Sequence, residues 1–276
     1  MSTAPANKNS DLPTRFAAGL VMIAIAIVVT YAGGWPFRLL AALAAAAMLV
    51  EWGDMHGVRR IWTWAAVALV AALLLAGAET LYPAAAGGPE EFGPADLEDA
   101  WFGFAGAAAI ALVVGLASRS AALGWGALYI GIPAFALIVL SWAWPLLVFW
   151  LFLVVWATDI FAYFAGRSIG GPKLAPRISP NKTWAGLIGG VIGAAITGWI
   201  AADLLGLDPL FRYLGGPMAV LAQLGDLYES SVKRRHGVKD SGRILPGHGG
   251  ALDRLDGLLP AALATFIALL LLSRSA

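Results

Sequence analysis

The chain alternates long apolar stretches with short polar segments, and the apolar stretches have the length of membrane-spanning helices. A helix needs about 20 mostly apolar residues to cross the hydrocarbon of a bilayer. On that scale the pattern predicts about nine spans, at 16–31, 37–50, 61–81, 101–117, 122–140, 144–163, 184–205, 214–227 and 258–272. The span at 214–227 is the weakest, because its apolar run is short. The pattern therefore predicts an all-α, polytopic integral membrane protein.

Composition supports a membrane protein and excludes several kinds of site. Hydrophobic residues make up 60% of the chain and charged residues 13%, whereas charged residues are roughly a quarter of a soluble domain. The net charge of +1 does not indicate a nucleic-acid partner. The chain has no cysteine, which excludes disulfides, thiolate catalysis and cysteine metal sites. Any metal would be bound by oxygen or histidine.

The basic residues predict the orientation, because cytoplasmic loops carry an excess of lysine and arginine. With nine spans and a cytoplasmic N-terminus, all 18 of them except Arg38, Arg212 and Arg274 fall on the cytoplasmic side. We therefore expect a multi-pass protein with its N-terminus in the cytoplasm. Residues 1–13 are predicted to be a disordered cytoplasmic N-terminus, 14–143 a set of transmembrane helices, and 144–276 the catalytic region. The acidic stretch 82–100 is predicted to be a solvated loop outside.

The first candidate for chemistry is the polar segment at 159–183. Asp159 lies at the end of an apolar run, where a carboxylate is costly unless it faces a partner or a wet cavity. Glycines and prolines interrupt helical structure beyond it, and four basic residues are spaced through the segment: Arg167, Lys173, Arg177 and Lys182. Such a segment is either an ordinary basic loop near anionic headgroups or a loop that binds phosphate through backbone amides and lysines.

The second candidate is the polar block at 223–256, which lies between apolar stretches. On a helix that starts after Gly250, Asp253 and Asp256 would lie on one face. Two close carboxylates raise each other's pKa, and a bound hard divalent cation usually neutralises their charge. Asp226 could supply a third oxygen from another helix, so we expect Asp226, Asp253 and Asp256 to hold Mg²⁺ beside a phosphate. His248, between glycines, is a structural turn residue, a metal ligand or a phosphate contact.

The two segments together resemble the signature of the phosphatidate cytidylyltransferase, or CDP-diacylglycerol synthase, family. The matching positions in the C-terminal block are Ser230, Val232, Lys233, Arg234, Lys239, Asp240, Gly242, Leu245, Pro246, His248, Gly249, Gly250, Asp253, Arg254 and Asp256. Those in the upstream segment are Asp159, Ala162, Tyr163, Gly166, Arg167, Lys173, Leu174, Ala175, Pro176, Ser179, Pro180, Lys182, Thr183 and Gly186. The resemblance covers roughly the C-terminal 40 per cent of the chain. The N-terminal spans resemble the family only in their general apolar character.

The resemblance implies that CTP and phosphatidic acid react, with Mg²⁺, to give CDP-diacylglycerol and pyrophosphate. It implies catalytic roles for Asp226, Asp253, Asp256, Lys239 and His248. It implies substrate-binding roles for Asp159, Lys173, Ser179, Lys182, Thr183, Lys233, Arg234 and Arg254. The expected partners are CTP, phosphatidic acid and the lipid bilayer, with no nucleic acid and with a homodimer as the candidate assembly. The expected location is the cell inner membrane, with the site facing the cytoplasm.

Three departures from the family pattern affect these expectations. Phe161 stands where the family usually has a small residue, which alters packing near Asp159. Ala251 replaces a bulkier aliphatic residue. Only about ten apolar residues separate Pro217 from Asp226, so the helix either continues through Asp226 towards Glu229 or is shortened.

Three other functions explain part of the pattern. A CDP-alcohol phosphotransferase also uses clustered aspartates, but its motif does not fit the DRLD and HGG of this chain. A lipid or polyprenol kinase that uses CTP would release CDP instead of pyrophosphate. A transporter would account for the apolar spans and Asp159, but not for a basic, glycine-rich block with paired aspartates, and no inverted repeat is apparent.

Overall fold

A computed structural model shows the chain as a bundle of helices with one small β-hairpin. It describes residues 12–81, 94–242, 244 and 249–275. The helices are α1 (Leu12–Ala32), α2 (Gly34–Met55), α3 (Arg60–Ala72), α4 (Ala78–Leu81), α5 (Pro94–Ser118), α6 (Ala121–Ala143), α7 (Pro145–Ser168), α8 (Trp184–Leu204), α9 (Phe211–Arg235), α10 (Leu252–Leu255) and α11 (Leu258–Ser275). A π-helical turn, Leu73–Gly77, joins α3 to α4. One continuous apolar core includes side chains from α2 to α11.

Several of these helices can cross a membrane, as the apolar pattern predicted. In the described part of the chain, six are long and apolar enough: Gly34–Met55, Arg60–Thr80, Asp99–Ser118, Ala121–Ala143, Pro145–Ser168 and Trp184–Leu204. The apolar helices Gly19–Ala32 and Leu258–Arg274 are shorter. Helix α9 is long but carries charged residues along its second half. A multi-pass helical protein is thus confirmed, while the number nine and the orientation stay predictions.

The structure differs from two local predictions and decides between the two alternatives for a third. Helix α1 begins at Leu12, within the stretch predicted to be disordered, while residues 1–11 lie outside the described residues. The stretch 82–100 was predicted to be a loop, but its last seven residues begin α5. Leu97 and Ala100 are fully buried there, because this end of α5 packs into the core. Helix α9 continues through Asp226 as far as Arg235.

The segment after α7 contains a β-hairpin, where the sequence predicted irregular structure. Strands β1 (Lys173–Ala175) and β2 (Ser179–Thr183) are antiparallel, and Lys173 is opposite Thr183. Gly170 and Gly171 have φ values of +69° and +92°, a left-handed conformation that suits glycine and turns the chain out of α7. The hairpin therefore places β2 directly before α8.

Small residues allow α7 and α8 to pack closely. A Cβ added at Gly190 would lie 2.9 Å from the carbonyl oxygen of Thr158 on α7. A Cβ at Gly193 would lie 2.2 Å from the ring of Phe161. The large side chain at 161 is thus accommodated by glycine on the neighbouring helix. Close approach through small residues is a common way for membrane helices to associate.

We expect Gly190→Ala to destabilise the protein by about 1–3 kcal/mol, the usual cost of overpacking a core. The added methyl group would meet a backbone carbonyl on α7, which cannot move without shifting the helix. The measurement is the thermal unfolding midpoint in detergent. Gly131→Ala on α6 is the matched control, because a Cβ there has no neighbour closer than 3.8 Å. Equal midpoints for the two variants would contradict the close packing.

Candidate active site

An open cavity of about 550 Å³ lies between α7, β2, the start of α8 and α9. Polar side chains from both segments that the sequence singled out line it. Its lining includes Asp159, Tyr163 and Arg167 on α7, Asn181, Lys182 and Thr183 on β2, and Gln223 and Asp226 on α9. The prediction that the two segments share one site agrees with this arrangement.

Lys182 connects β2 to α9 at the wall of this cavity. Its Nζ lies 2.6 Å from Asp226 Oδ2 and donates a hydrogen bond of 3.0 Å to Gln223 Oε1. The other Asp226 oxygen, Oδ1, accepts from Ser230 Oγ at 3.2 Å. Next to Lys182, Thr183 is buried and caps α8, since its Oγ1 accepts from Gly186 N. The start of α8 thus fixes the strand that carries Lys182.

Asp256 lies beside Asp226 because α9 passes very close to its backbone. A Cβ at Gly225 would lie only 2.3 Å from the carbonyl oxygen of Asp256. Burial raises the pKa of Asp256 well above its ordinary value, and the negative charges of Asp226 and Glu229 raise it further. A hydrogen bond of 2.7 Å from Gly257 N to Asp256 Oδ1 only partly offsets this. An ionised Asp256 would lie near other negative charges, so a bound cation would favour its charged form.

Asp253 belongs to a second, adjacent cluster. Lys233 Nζ lies 2.6 Å from Asp253 Oδ1 and 2.5 Å from Glu229 Oε2. The backbone amides of Ser241 and Gly250 also donate to Asp253, at 3.0 and 2.8 Å to Oδ2. Burial alone would raise the pKa of Asp253, but the hydrogen bonds from Lys233 and Gly250 outweigh it and lower the pKa below its ordinary value.

The predicted set of three metal-binding aspartates is therefore divided between two clusters. Asp256 is close enough to Asp226 for their charges to interact, whereas Asp253, on the single turn of α10, pairs with Lys233. Among the described residues, no group of three or more histidine, aspartate or glutamate side chains is arranged to hold a metal ion. Asp226 lines the cavity and pairs with Lys182, whereas Asp253 pairs with Lys233 in the adjacent cluster.

The other predicted residues lie around these clusters with fewer contacts. Lys173, Lys239 and Arg254 are exposed. Arg234 donates to the carbonyl oxygens of Ile178 and Val238, so it ties the end of α9 to the hairpin turn. Ser179 is half-buried in β2. His248 lies outside the described residues, and its three alternative roles stay predictions.

Two buried carboxylates that the sequence did not assign belong to this region. Glu229 on α9 is fully buried beside Lys233. Glu51 on α2 is 3% exposed and contacts residues near α10. The cost of a carboxylate in an apolar run, which identified Asp159, applies equally to Glu51. That signal was present in the sequence, but the partners of Glu51 lie about 200 positions away.

The chain is similar in sequence to one known protein family along most of its length. The model of the cytidylyltransferase family matches residues 13–272. The phosphatidate cytidylyltransferase of Brucella abortus is 37% identical over 276 residues, which cover 94% of this chain and 93% of that protein. The phosphatidate cytidylyltransferase of Pseudomonas aeruginosa is 42% identical over 155 residues, 54% of this chain and 56% of the relative. That of Haemophilus influenzae is 45% identical over 122 residues, 42% of each chain.

Proposed function

Since the chain belongs to the cytidylyltransferase family, we propose that it works as a phosphatidate cytidylyltransferase at the cavity between α7, β2 and α9. The family and its relatives support the reaction, in which CTP and phosphatidic acid give CDP-diacylglycerol and pyrophosphate. The observation that supports this location is the cavity wall, where Lys182 lies between Asp226 and Gln223. The cavity therefore contains a lysine that could bind phosphate and a carboxylate that could bind a metal ion.

Mg²⁺ is the cofactor that these side chains fit best. Asp226 and Asp256 are carboxylate oxygen donors from neighbouring elements, and the pKa of Asp256 is raised by burial and by the negative charge of Asp226, which supports a cation at this place. Mg²⁺ prefers oxygen ligands and usually combines one or two carboxylates with substrate phosphates and water. Asp226 and Asp256 would hold the ion, which supplies charge neutralisation and orientation for the triphosphate. Asp253 keeps its hydrogen bonds and orients Lys233.

The reaction needs little covalent chemistry from the protein. An oxygen of the phosphatidic acid phosphate attacks the α-phosphorus of CTP, a new P–O bond forms, and the bond to the β-phosphate breaks as pyrophosphate leaves. The phosphate monoester is itself a nucleophile, so no serine or cysteine nucleophile is required. The chain contributes positioning and electrostatic stabilisation. Lys182 and Lys233 would contact phosphate oxygens, with Lys173, Arg234 and Lys239 adding positive charge nearby.

The lipid substrate would reach the cavity from the side of the bundle. Tyr163 and Leu187 line the cavity, and large apolar side chains next to them are exposed: Phe161, Phe164, Trp184 and Ile188. Exposed apolar surface of this kind faces lipid in a membrane protein. The acyl chains would lie along this surface of α7 and α8, while the headgroup phosphate reaches Lys182. The excess of basic residues near this end supports a cytoplasmic site at the inner membrane.

Purified protein should convert phosphatidic acid and CTP labelled in the α-phosphate to labelled CDP-diacylglycerol, with release of pyrophosphate. Chelation of divalent cations should abolish the conversion, and added Mg²⁺ should restore it. Chromatography of the lipid product and a pyrophosphate assay are the measurements. Release of CDP with a phosphorylated lipid would indicate a kinase instead. Conversion of soluble phosphomonoesters alone would contradict lateral entry of a lipid.

A further inference from the structure

We propose that Glu51, in the N-terminal half of the chain, is a positioning residue for this reaction. Its carboxylate fixes the segment that carries Asp253 and Asp256, and it does so from a helix that lines no part of the cavity. The inference rests on the proposed active site, since it explains how two of that site's carboxylates keep their places. It assigns a role in the reaction to a residue far from the signature motif.

Three hydrogen bonds replace the hydration of the buried Glu51 carboxylate. Its Oε2 accepts hydrogen bonds from Ser241 Oγ at 2.9 Å and from Leu252 N at 2.9 Å. Its Oε1 accepts from Ala251 N at 2.8 Å. A buried carboxylate is tolerated only when such donors replace its hydration. These donors all come from the C-terminal block, so the burial of Glu51 depends on where that block lies.

These hydrogen bonds join two parts of the chain that flank the glycine-rich segment 242–250. Ser241 precedes it, and Ala251 and Leu252 follow it. Asp253 joins the same two parts, since it accepts from the amides of Ser241 and Gly250. Two carboxylates, one from α2 and one from α10, thus hold both ends of this segment together. We call residues 241 and 250–252 the neck.

Glycines in the neck and next to it lie against the two carboxylates. A Cβ at Gly242 would lie 2.5 Å from Glu51 Oε1, and one at Gly250 would lie 2.5 Å from Glu51 Oε2. Gly249 has a φ of +84°, and a Cβ there would lie 2.7 Å from Asp253 Oδ2. Gly242, Gly249 and Gly250 thus permit close approach to Glu51 and Asp253.

The neck determines where the single turn of α10 lies. A helix of four residues has almost no stability of its own, because isolated helices shorter than about 12–15 residues are marginal in water. Its position must come from contacts at its two ends. Glu51 binds the first amides of the turn, and the carbonyl of Asp256 packs against Gly225 at the other end. Without the hydrogen bonds to Glu51, Asp253 and Asp256 would lose their fixed distance from Lys233 and Asp226.

The test compares Glu51→Gln with the wild-type full-length protein in detergent. Glutamine keeps the side-chain volume but replaces one acceptor oxygen with a donor, which opposes one of the neck's donors. Hydrogen–deuterium exchange of peptides covering 249–255 should be at least about tenfold faster, the factor that corresponds to 1.4 kcal/mol. Exchange of α8 peptides should be unchanged. The kcat for CTP should fall at least about tenfold, with a smaller change in KM.

Two further variants separate positioning from general destabilisation. Phe37→Ala removes a buried side chain at the other end of α2, and we expect it to lower the unfolding midpoint without faster exchange at 249–255. Glu51→Asp keeps a carboxylate on a shorter side chain, and we expect values between wild type and Glu51→Gln. Should Glu51→Gln fail to fold, Glu51→Asp carries the test alone.

Wild-type exchange at 249–255 in the Glu51 variants would overturn the proposal. The same would follow if Phe37→Ala reproduced both the faster exchange and the lower kcat. Hydrogen exchange requires no substrate, so this result is independent of the proposed reaction. A wild-type protein that fails to convert phosphatidic acid would overturn the reaction while the exchange data still decided the role of Glu51.

Discussion

Asp226→Asn is expected to lower the turnover of CTP with phosphatidic acid by about a thousandfold, the upper range for removing one preorganised electrostatic group. Asparagine has nearly the same shape as aspartate, so the fold should be preserved. Its amide is neutral, so Lys182 would lose an ion pair of 2.6 Å and Mg²⁺ would lose one of its two proposed carboxylates. The measurement is kcat at saturating substrates, together with the Mg²⁺ concentration that gives half-maximal activity, which should rise.

Asp203→Asn is the matched control. Asp203 is also an aspartate in an ion pair, with Arg212, but this pair lies at the other end of α8 and α9. It is about half exposed, and ion pairs near the surface contribute at most about 1 kcal/mol to stability. We expect wild-type turnover from this variant. Near-normal turnover by Asp226→Asn would remove Asp226 from the active site, and equal losses in both variants would show that the effect is not local.

Lys233→Met is expected to have the largest effect on stability, a loss of about 3–5 kcal/mol. Lys233 is the cation between Glu229 and Asp253, and all three side chains are largely shielded from water. Removing one partner from a buried ionic group leaves the remaining charges uncompensated, which accounts for a penalty of this size. The unfolding midpoint in detergent should fall accordingly. Activity should also fall, because Asp253 would lose the ion pair with Lys233 that holds it next to the site.

The double variant Lys233→Met with Glu229→Gln tests the cause of this loss. With one carboxylate neutralised, less uncompensated charge remains, so the midpoint should rise above that of Lys233→Met alone. Arg235→Met is the control for removing a cation from the exposed side of the same turn of α9, and we expect a midpoint close to the wild type. A midpoint for Lys233→Met that equals this control would show that the buried cluster does not stabilise the fold.

The helical architecture was predictable because it depends on local properties of the chain. The length of the apolar runs predicted membrane helices, and those in α2 and α5 to α8 are among the six long apolar helices. The β-hairpin was not predicted, because β1 has only three residues within a segment rich in glycine and proline. Such a short strand is stabilised by its pairing with β2 and by the helices beside it, which no local pattern reveals.

The residue types of the site were also predictable, but their pairing was not. A contiguous motif identified the aspartates and lysines, and the spacing of Asp253 and Asp256 suggested one shared site. In the structure Asp256 lies beside Asp226, while Asp253 pairs with Lys233. Spacing determines only which residues share a face within one helix. The partner on another helix depends on how closely the two backbones approach.

Local chain chemistry was thus sufficient for the membrane helices, the family and the set of charged residues that we propose for its reaction. The grouping of those residues depended on packing between helices. Gly225 lets α9 approach the backbone of Asp256, and Gly250 leaves room for Glu51. Each of these contacts joins distant parts of the chain, and Glu51 binds donors about 200 positions away. The charged partners of each carboxylate lie on other helices. Their pairing therefore depends on helix packing and not on spacing along the sequence.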